Sequence, residues 1–192
     1  MAGDSKPARK IMVVAEPTRE SAGALQYALY NAVFEKDELI LLHVENPTSW
    51  LNVISSMFLR KPLVGNSTTE GGGGEEGGSD VDFLEEMKSA CKVAQPKLRV
   101  RTLRVVMDGK DKATMILSQT KEQGIDLIII GQKRSLSSVI LGSMRPAGPK
   151  VVDTAEFLIE NCSCNCVGVQ KKGQNEGYVL NTKTQKNFRL LA

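Results

Sequence analysis

A chain of 192 residues is long enough to bury one full core and too short for two comfortable ones. With 41% hydrophobic and 24% charged residues it has the composition of an ordinary globular protein, and a net charge of +3 is too small to argue for nucleic acid as a partner. No apolar run approaches the ~20 residues that span a bilayer, which argues against a membrane role. The polar start, Met-Ala-Gly-Asp-Ser-Lys-Pro-Ala-Arg-Lys, lacks a secretory apolar stretch, so the expected place is the cytoplasm, with the nucleus left open.

Residues 1–9 read as a disordered lead-in, and Ile11 to Ala15 as a short buried strand ending at Glu16-Pro17-Thr18. A helix follows in which Ala22, Leu25, Leu29 and Val33 recur at helical spacing, with Thr18 or Ser21 to cap its first amides. Leu39 to Val44 is a second apolar strand. Strand, helix, strand in this order is a right-handed crossover and makes the sheet parallel.

Glu45 to Pro62 then carries Trp50, Val53, Ile54, Met57 and Phe58, an apolar set suited to a lid. Residues 65–79 include Gly-Gly-Gly-Gly-Glu-Glu-Gly-Gly, too poor in apolar surface to offset its ordering entropy, and read as a flexible insertion. Order returns with Asp80 as a cap and a helix from about Asp82 to Ala94, with Phe83, Met87, Ala90 and Ala94 on one face. The third strand, Leu98 to Met107, carries Lys97, Arg99, Arg101 and Arg104 on or beside it. Without stacking aromatics these are better explained as the charges of an exposed sheet edge than as an RNA or membrane surface.

Asp111 caps a helix with Ala113, Ile116, Leu117 and Thr120 in register, and Gly124 ends it. Leu127 to Ile130 is an unbroken apolar run stopped by Gly131, the signature of a strand buried on both faces. Ligands of open α/β sheets sit beyond the carboxyl ends of such strands. There the chain places two glycines, Gly131 and Gly142, with Lys133, Arg134 and several hydroxyls, an inventory suited to an anion such as phosphate. A last helix opens near Asp153-Thr-Ala-Glu156 with Ala155, Leu158 and Ile159 inward, and Asn161 closes it. Cys164 to Val169 is the fifth strand. In the tail, residues 171–192, Tyr178–Leu180 and Phe188–Leu190 flank a polar turn as a hairpin would.

Cys162, Cys164 and Cys166, spaced i, i+2, i+4, fall on one strand face, while Cys91 belongs to a distant helix. This is not the pairwise spacing of a structural zinc site, and small buried thiols in a reducing compartment are expected, with no structural metal. The single histidine, His43, lies in Leu-Ile-Leu-Leu-His-Val and has no catalytic partner in view, which suggests a strand-end residue with a local hydrogen bond.

Ile-Met-Val-Val-Ala in the first strand, Ile-Leu-Leu-His-Val in the second, Asp-Leu-Ile-Ile-Ile-Gly before the loop and Leu-Gly-Ser at 141–143 together resemble the universal stress protein (UspA-like) family, its plant single-domain members in particular. The likeness covers Lys10 to Gln170 apart from the glycine-rich insertion. It implies an α/β fold of the adenine nucleotide alpha hydrolase-like, Rossmann type: an open five-stranded parallel sheet in the order 3-2-1-4-5 with helices on both faces. It further implies ATP held at the ends of strands one and four in those members that bind it, a homodimer formed through the last strand, and binding or regulatory duty in stress responses without a shared catalytic activity.

The chain departs from the family's ATP signature, Gly-x-x-Gly followed by a spacer and Gly-Ser or Gly-Thr. Gly131 and Gly142-Ser143 match, but Arg134 stands at the middle glycine and the spacer is shorter. Glu16-Pro17 replaces the usual Asp after strand one, and Pro17 has no amide to donate. Met-Arg-Pro-Ala-Gly-Pro-Lys after Ser143 puts two prolines where a phosphate-binding helix should open. The expected function is therefore a binding or regulatory module with a diverged ATP site. Its candidate nucleotide contacts are Glu16 and Val44 near base or ribose, and Gly131, Lys133, Arg134, Gly142 and Ser143 around phosphate. Two alternatives stand beside it: an active ATP-binding protein or slow ATP hydrolase using Glu16 or Ser143, and an interaction scaffold using the lid segment and tail.

Overall fold

The central strands are short because each is buried on both faces and stops where helices and turns take over. In the computed structural model, which describes residues 8–46, 82–133, 153–173, 177–183 and 188–190, β1 (Lys10–Val14) has Ile11, Met12 and Val13 fully buried. The segment read as a lid beyond Asn46, the glycine-rich insertion, Asp80 and residues 134–152 lie outside the described residues. After β1 come α1 (Arg19–Tyr27), a π-helical turn (Ala28–Ala32), β2 (Glu38–Glu45), α2 (Phe83–Ala94), β3 (Arg99–Val106) and α3 (Lys112–Gln123). β4 (Leu127–Gly131), α4 (Thr154–Asn161), β5 (Asn165–Lys171), β6 (Tyr178–Thr182) and β7 (Phe188–Leu190) complete the order.

The strands form one sheet in the order β3-β2-β1-β4-β5-β6-β7. The pairs from β3 to β5 are parallel, in the 3-2-1-4-5 order, with Ile11 opposite both Leu39 and Leu127 and Ile128 opposite Cys166. The tail adds β6 and β7 as antiparallel strands, with Val169 opposite Leu180 and Leu180 opposite Phe188. The sheet is thus wider than the five strands expected, and the outer edge of β5 is already hydrogen bonded within its own chain. A dimer made by pairing β5 with a second β5 has no open edge to use.

Alternation along the strands divides the core in two. Ile11, Val13, Leu39, Leu41 and Ile129 face α1 and α2, and Leu180 joins them, whereas Met12, Val14, Ile40, Leu42 and Ile128 face α3 and α4. Each such side chain contributes roughly 1.5–3 kcal/mol by leaving water. Side-chain caps start each of the α-helices among the described residues: Thr18 accepts from the Ser21 amide at 3.2 Å, Asp82 from Leu84 at 3.1 Å, Asp111 from Thr114 at 2.9 Å and Asp153 from Ala155 at 3.4 Å. Gly124 closes α3 at φ 64°, a left-handed position natural to glycine.

Three readings of helix and strand faces need correction. In α2 the fully buried residues are Leu84 and Cys91; Phe83 and Met87 pack against the same core while half-buried, but Ala90 and Ala94 are exposed. Ala22 of α1 is also exposed. Of the three clustered cysteines only Cys166 lies in β5, since Cys162 caps α4 and Cys164 sits in a bend.

Strand β3 is an edge, and Arg101 and Arg104 on it, with Lys97 beside it, are paired with carboxylates. Arg101 bonds Glu38 at 3.2 Å, Arg104 bonds Glu45 at 3.0 Å and also Asp82, and Lys97 meets Glu35 at 3.5 Å. Carboxylates from β2 and its neighbours neutralise the strip that would otherwise resemble a polyanion surface.

A crevice at the switch point

In the parallel sheet the chain leaves β1 toward β2 on one side and β4 toward β5 on the other, so β1 and β4 diverge beyond their carboxyl ends. That divergence opens a crevice where α/β folds place ligands. A cavity of about 230 Å³ lies there, lined by Val14, Glu16, Thr18, Ser21, Lys112, Gly131, Lys133 and Asp153 among others. The start of α1, the first residue of α3 and the capped end of α4 all border it.

The turn out of β1 is fixed by one buried hydroxyl. Ser21 Oγ accepts from the Glu16 amide at 2.9 Å and donates to the Val14 carbonyl at 3.0 Å, and the Thr18 amide donates to the Glu16 carbonyl at 2.8 Å. Pro17 interrupts nothing here, because the amides on either side of it find partners within the turn. Glu16 is thereby held over the crevice, where its carboxylate is hydrogen bonded to the Lys112 ammonium.

Gly131 lines the crevice and also has a packing role. A Cβ on this residue would enter the backbone of α1, meeting the Glu20 carbonyl and lying 2.8 Å from the Ser21 nitrogen. The missing side chain lets the first turn of α1 pack on the end of β4.

Of the residues expected around a nucleotide, the structure brings Glu16, Gly131 and Lys133 together at this crevice. Val44 is buried on β2 in the α3/α4 side of the core and does not line it. Arg134, Gly142 and Ser143 lie outside the described residues. Residue reading missed Lys112, Thr18 and Glu20 as lining groups and took Asp153 only as a cap. The signal was available in principle: helix starts in a parallel sheet gather at the strands' carboxyl ends, so residues beside each cap face the same crevice.

The described lining holds three carboxylates, Glu16, Glu20 and Asp153, against two ammonium groups, Lys112 and Lys133. Within that described lining the Lys112 ammonium is engaged by Glu16. The lining supplies carboxylate acceptors for hydroxyl groups and, in Lys133, a cation for an anion. His43 stands apart: its Nδ1 donates to the Ala15 carbonyl at 2.8 Å, because a carbonyl only accepts, and its ring meets Phe83 edge-on at 4.8 Å. Among the described residues no three of His, Cys, Asp and Glu are grouped to hold a metal ion, and no helix is long and apolar enough to cross a membrane.

Several solved structures share this fold. One is a universal stress protein in complex with cAMP, 13% identical, with a TM-score of 0.54 over 86% of this chain and 98% of that one. The hypothetical protein PH0823 is 17% identical, with a TM-score of 0.52 over 87% of this chain and 99% of its own. UspA from Lactobacillus plantarum is 15% identical, with a TM-score of 0.49 over 85% and 98%. No curated protein matches the chain in sequence. The model of the universal stress protein family matches residues 7–169, which is most of the chain, and the chain belongs to that family.

Proposed function

We propose that the chain is a regulatory binding module of the stress response whose switch-point crevice takes an adenosine-type ligand of low charge and has lost the cradle for a triphosphate. The observation that carries this reading is the Glu16–Lys112 pair closing one wall of the crevice, with Glu20 and Asp153 adding further negative charge. A phosphate charge about 4 Å from an unpaired carboxylate costs on the order of 4 kcal/mol at an effective dielectric constant of about 20. Ribose hydroxyls, by contrast, are good donors to the same carboxylates. The cAMP bound by a solved structure of this fold has a single negative charge and supports the same choice.

Thermal unfolding with adenosine, AMP, cAMP and ATP–magnesium tests it. A ligand at a hundred times its dissociation constant stabilises by ~2.7 kcal/mol, or about 5–10 °C at this size. Adenosine, AMP or cAMP is expected to give that shift and ATP a smaller one. A larger shift with ATP overturns the low-charge reading, and no shift with any of them removes the nucleotide.

An ATP hydrolase relying on Glu16 is disfavoured, since a carboxylate engaged by an ammonium group is a poor general base. Phosphate release that disappears in Glu16→Ala would reinstate it. Self-association is carried with the proposal as a homodimer in the cytoplasm. With β5 covered, the strand edges that remain among the described residues are β3 and β7, and light scattering on the eluting peak gives the copy number.

A further inference from the structure

Far from the crevice, at the amino-terminal end of the sheet, two thiols are in contact. Cys162 Sγ lies 3.0 Å from Cys164 Sγ, with Ser163 and Cys164 in a bend that turns the second side chain back on the first. Cys162 is buried as the C-terminal cap of α4, its amide bonded to the Leu158 carbonyl at 2.9 Å, and Cys164 is half-buried and open to small solutes. Cys166, two residues on, is buried in β5 opposite Ile128. All three are free thiols.

We propose that Cys162 and Cys164 are a modification site: a local dithiol that a hydroperoxide converts into a disulfide. The sulfurs must close from 3.0 Å to a bond of about 2.05 Å. One sulfur attacks the peroxide, the O–O bond breaks, and a sulfenic acid and water or an alcohol result. The second thiol then attacks the sulfenic sulfur, the S–O bond breaks and water leaves. Two electrons and two protons have passed from the thiols to the peroxide, and the carrier of the return step is a dithiol reductant.

The surroundings favour the product over the ionised reactants. Burial pushes the Cys164 thiol up to about 12, and the neighbouring Cys162 thiol adds to that; burial likewise pushes Cys166 up to about 12. At neutral pH Cys164 is therefore almost wholly protonated, which slows its own attack on a peroxide. A disulfide has no charged form to desolvate and suits the apolar cluster of Ile128, Leu158 and Ile159 in which these residues sit. Cys91 is too far along the fold to compete, and burial pushes its thiol up to about 11.

The test treats the reduced full chain with hydrogen peroxide at neutral pH, removes the peroxide, unfolds the chain in urea, blocks remaining thiols with iodoacetamide and sequences the tryptic peptide 151–171 by mass spectrometry. The peptide is expected to lose two hydrogens, to carry the alkyl label on Cys166 alone, and to regain both hydrogens on reduction. Cys162→Ser and Cys164→Ser should each abolish the loss, while Cys166→Ser and Cys91→Ser keep it. Circular dichroism on each variant, with Cys162→Ala as a second substitution at the cap, separates loss of the thiol from loss of the fold. A bridge that survives Cys164→Ser, or oxidation that stops at sulfinic or sulfonic acid, overturns the proposal. So does a folded chain that stays reduced while the urea-unfolded chain oxidises.

Discussion

The Lys112 ammonium at the start of α3 is hydrogen bonded to the Glu16 carboxylate at the end of β1, 96 residues earlier in the chain. Both side chains are about one-third exposed, at 29% and 33%, so the pair contributes modestly, ~0.5–1 kcal/mol, and less as salt is raised. Its larger effect is on what the crevice admits. Glu16→Gln should leave stability within about 1 kcal/mol of the parent and release Lys112 to anions. AMP and ATP are then expected to gain several-fold in affinity relative to adenosine, read by titration calorimetry at low salt. The same affinity ratio in parent and variant would show that Lys112 does not face the ligand.

Gly131 is expected to be intolerant of any side chain, for a reason of packing. Its Cβ would enter the first turn of α1, and backbone does not yield as a flexible side chain does. Gly131→Ala should cost about 1–3 kcal/mol, read as a lower urea midpoint with an unchanged slope. A comparable midpoint would mean that α1 can lift from β4 without penalty, and the crevice wall would then be softer than the geometry implies.

Most of the fold was legible because burial on both faces leaves such plain runs: Ile11 to Ala15, Leu39 to Val44 and Leu127 to Ile130 are all strands at the centre of the sheet. The caps Thr18, Asp111 and Asp153 were readable for a local reason, a side-chain acceptor reaching an amide within its own first turn. The face of α2 was legible only in part: Phe83 and Met87 do pack on the core, but the angle at which the helix lies on β2 and β3 puts Leu84 and Cys91 deepest and leaves Ala90 and Ala94 outside. The site was half legible. Glu16 and Lys133 adjoin strand ends in sequence, whereas Lys112 comes from a helix whose position depends on the whole crossover. Nothing in Tyr178–Leu180 indicates that the hairpin docks on β5, since that pairing is fixed by contacts with α1 that are distant in the chain.

Asp37 ties the first helical segment to the start of β1. Its carboxylate accepts from Arg9 Nη2, at 2.6 Å, and from the Phe34 amide, at 2.9 Å, while Arg9 also bonds the Ala32 carbonyl and lies over the Phe34 ring. Burial works to raise this carboxyl, but the hydrogen bonds from Arg9 and Phe34 outweigh it and hold it below the ordinary value. A depressed folded-state pKa adds stability that is full above the unfolded value of ~3.9 and is lost as pH falls through the folded value. Asp37→Asn should therefore be destabilised at pH 7 by about 1–3 kcal/mol, with the gap from the parent closing below about pH 4. A gap that stays constant from pH 7 to pH 3 would assign the loss to packing and not to the ion pair.

The C-terminal hairpin is expected to behave as core and not as a detachable arm. Leu180 packs in the α1 side of the core with Ile129 and Val169, Tyr178 meets Tyr27 edge-on with ring centroids 5.4 Å apart, and Asn181 is hydrogen bonded to Gln132 beyond β4. Leu180→Ala should cost about 2–4 kcal/mol through lost transfer and an unfilled cavity. Truncation after Lys171 should cost more, because it removes Val179 and Leu180 together and leaves the outer edge of β5 unpaired. Unpaired strand edges recruit other chains, so the truncated protein should melt well below the parent and elute as larger species. If the hairpin instead served only a partner, truncation would leave the melting midpoint and the elution volume where they were, and Leu180→Ala would be silent in both.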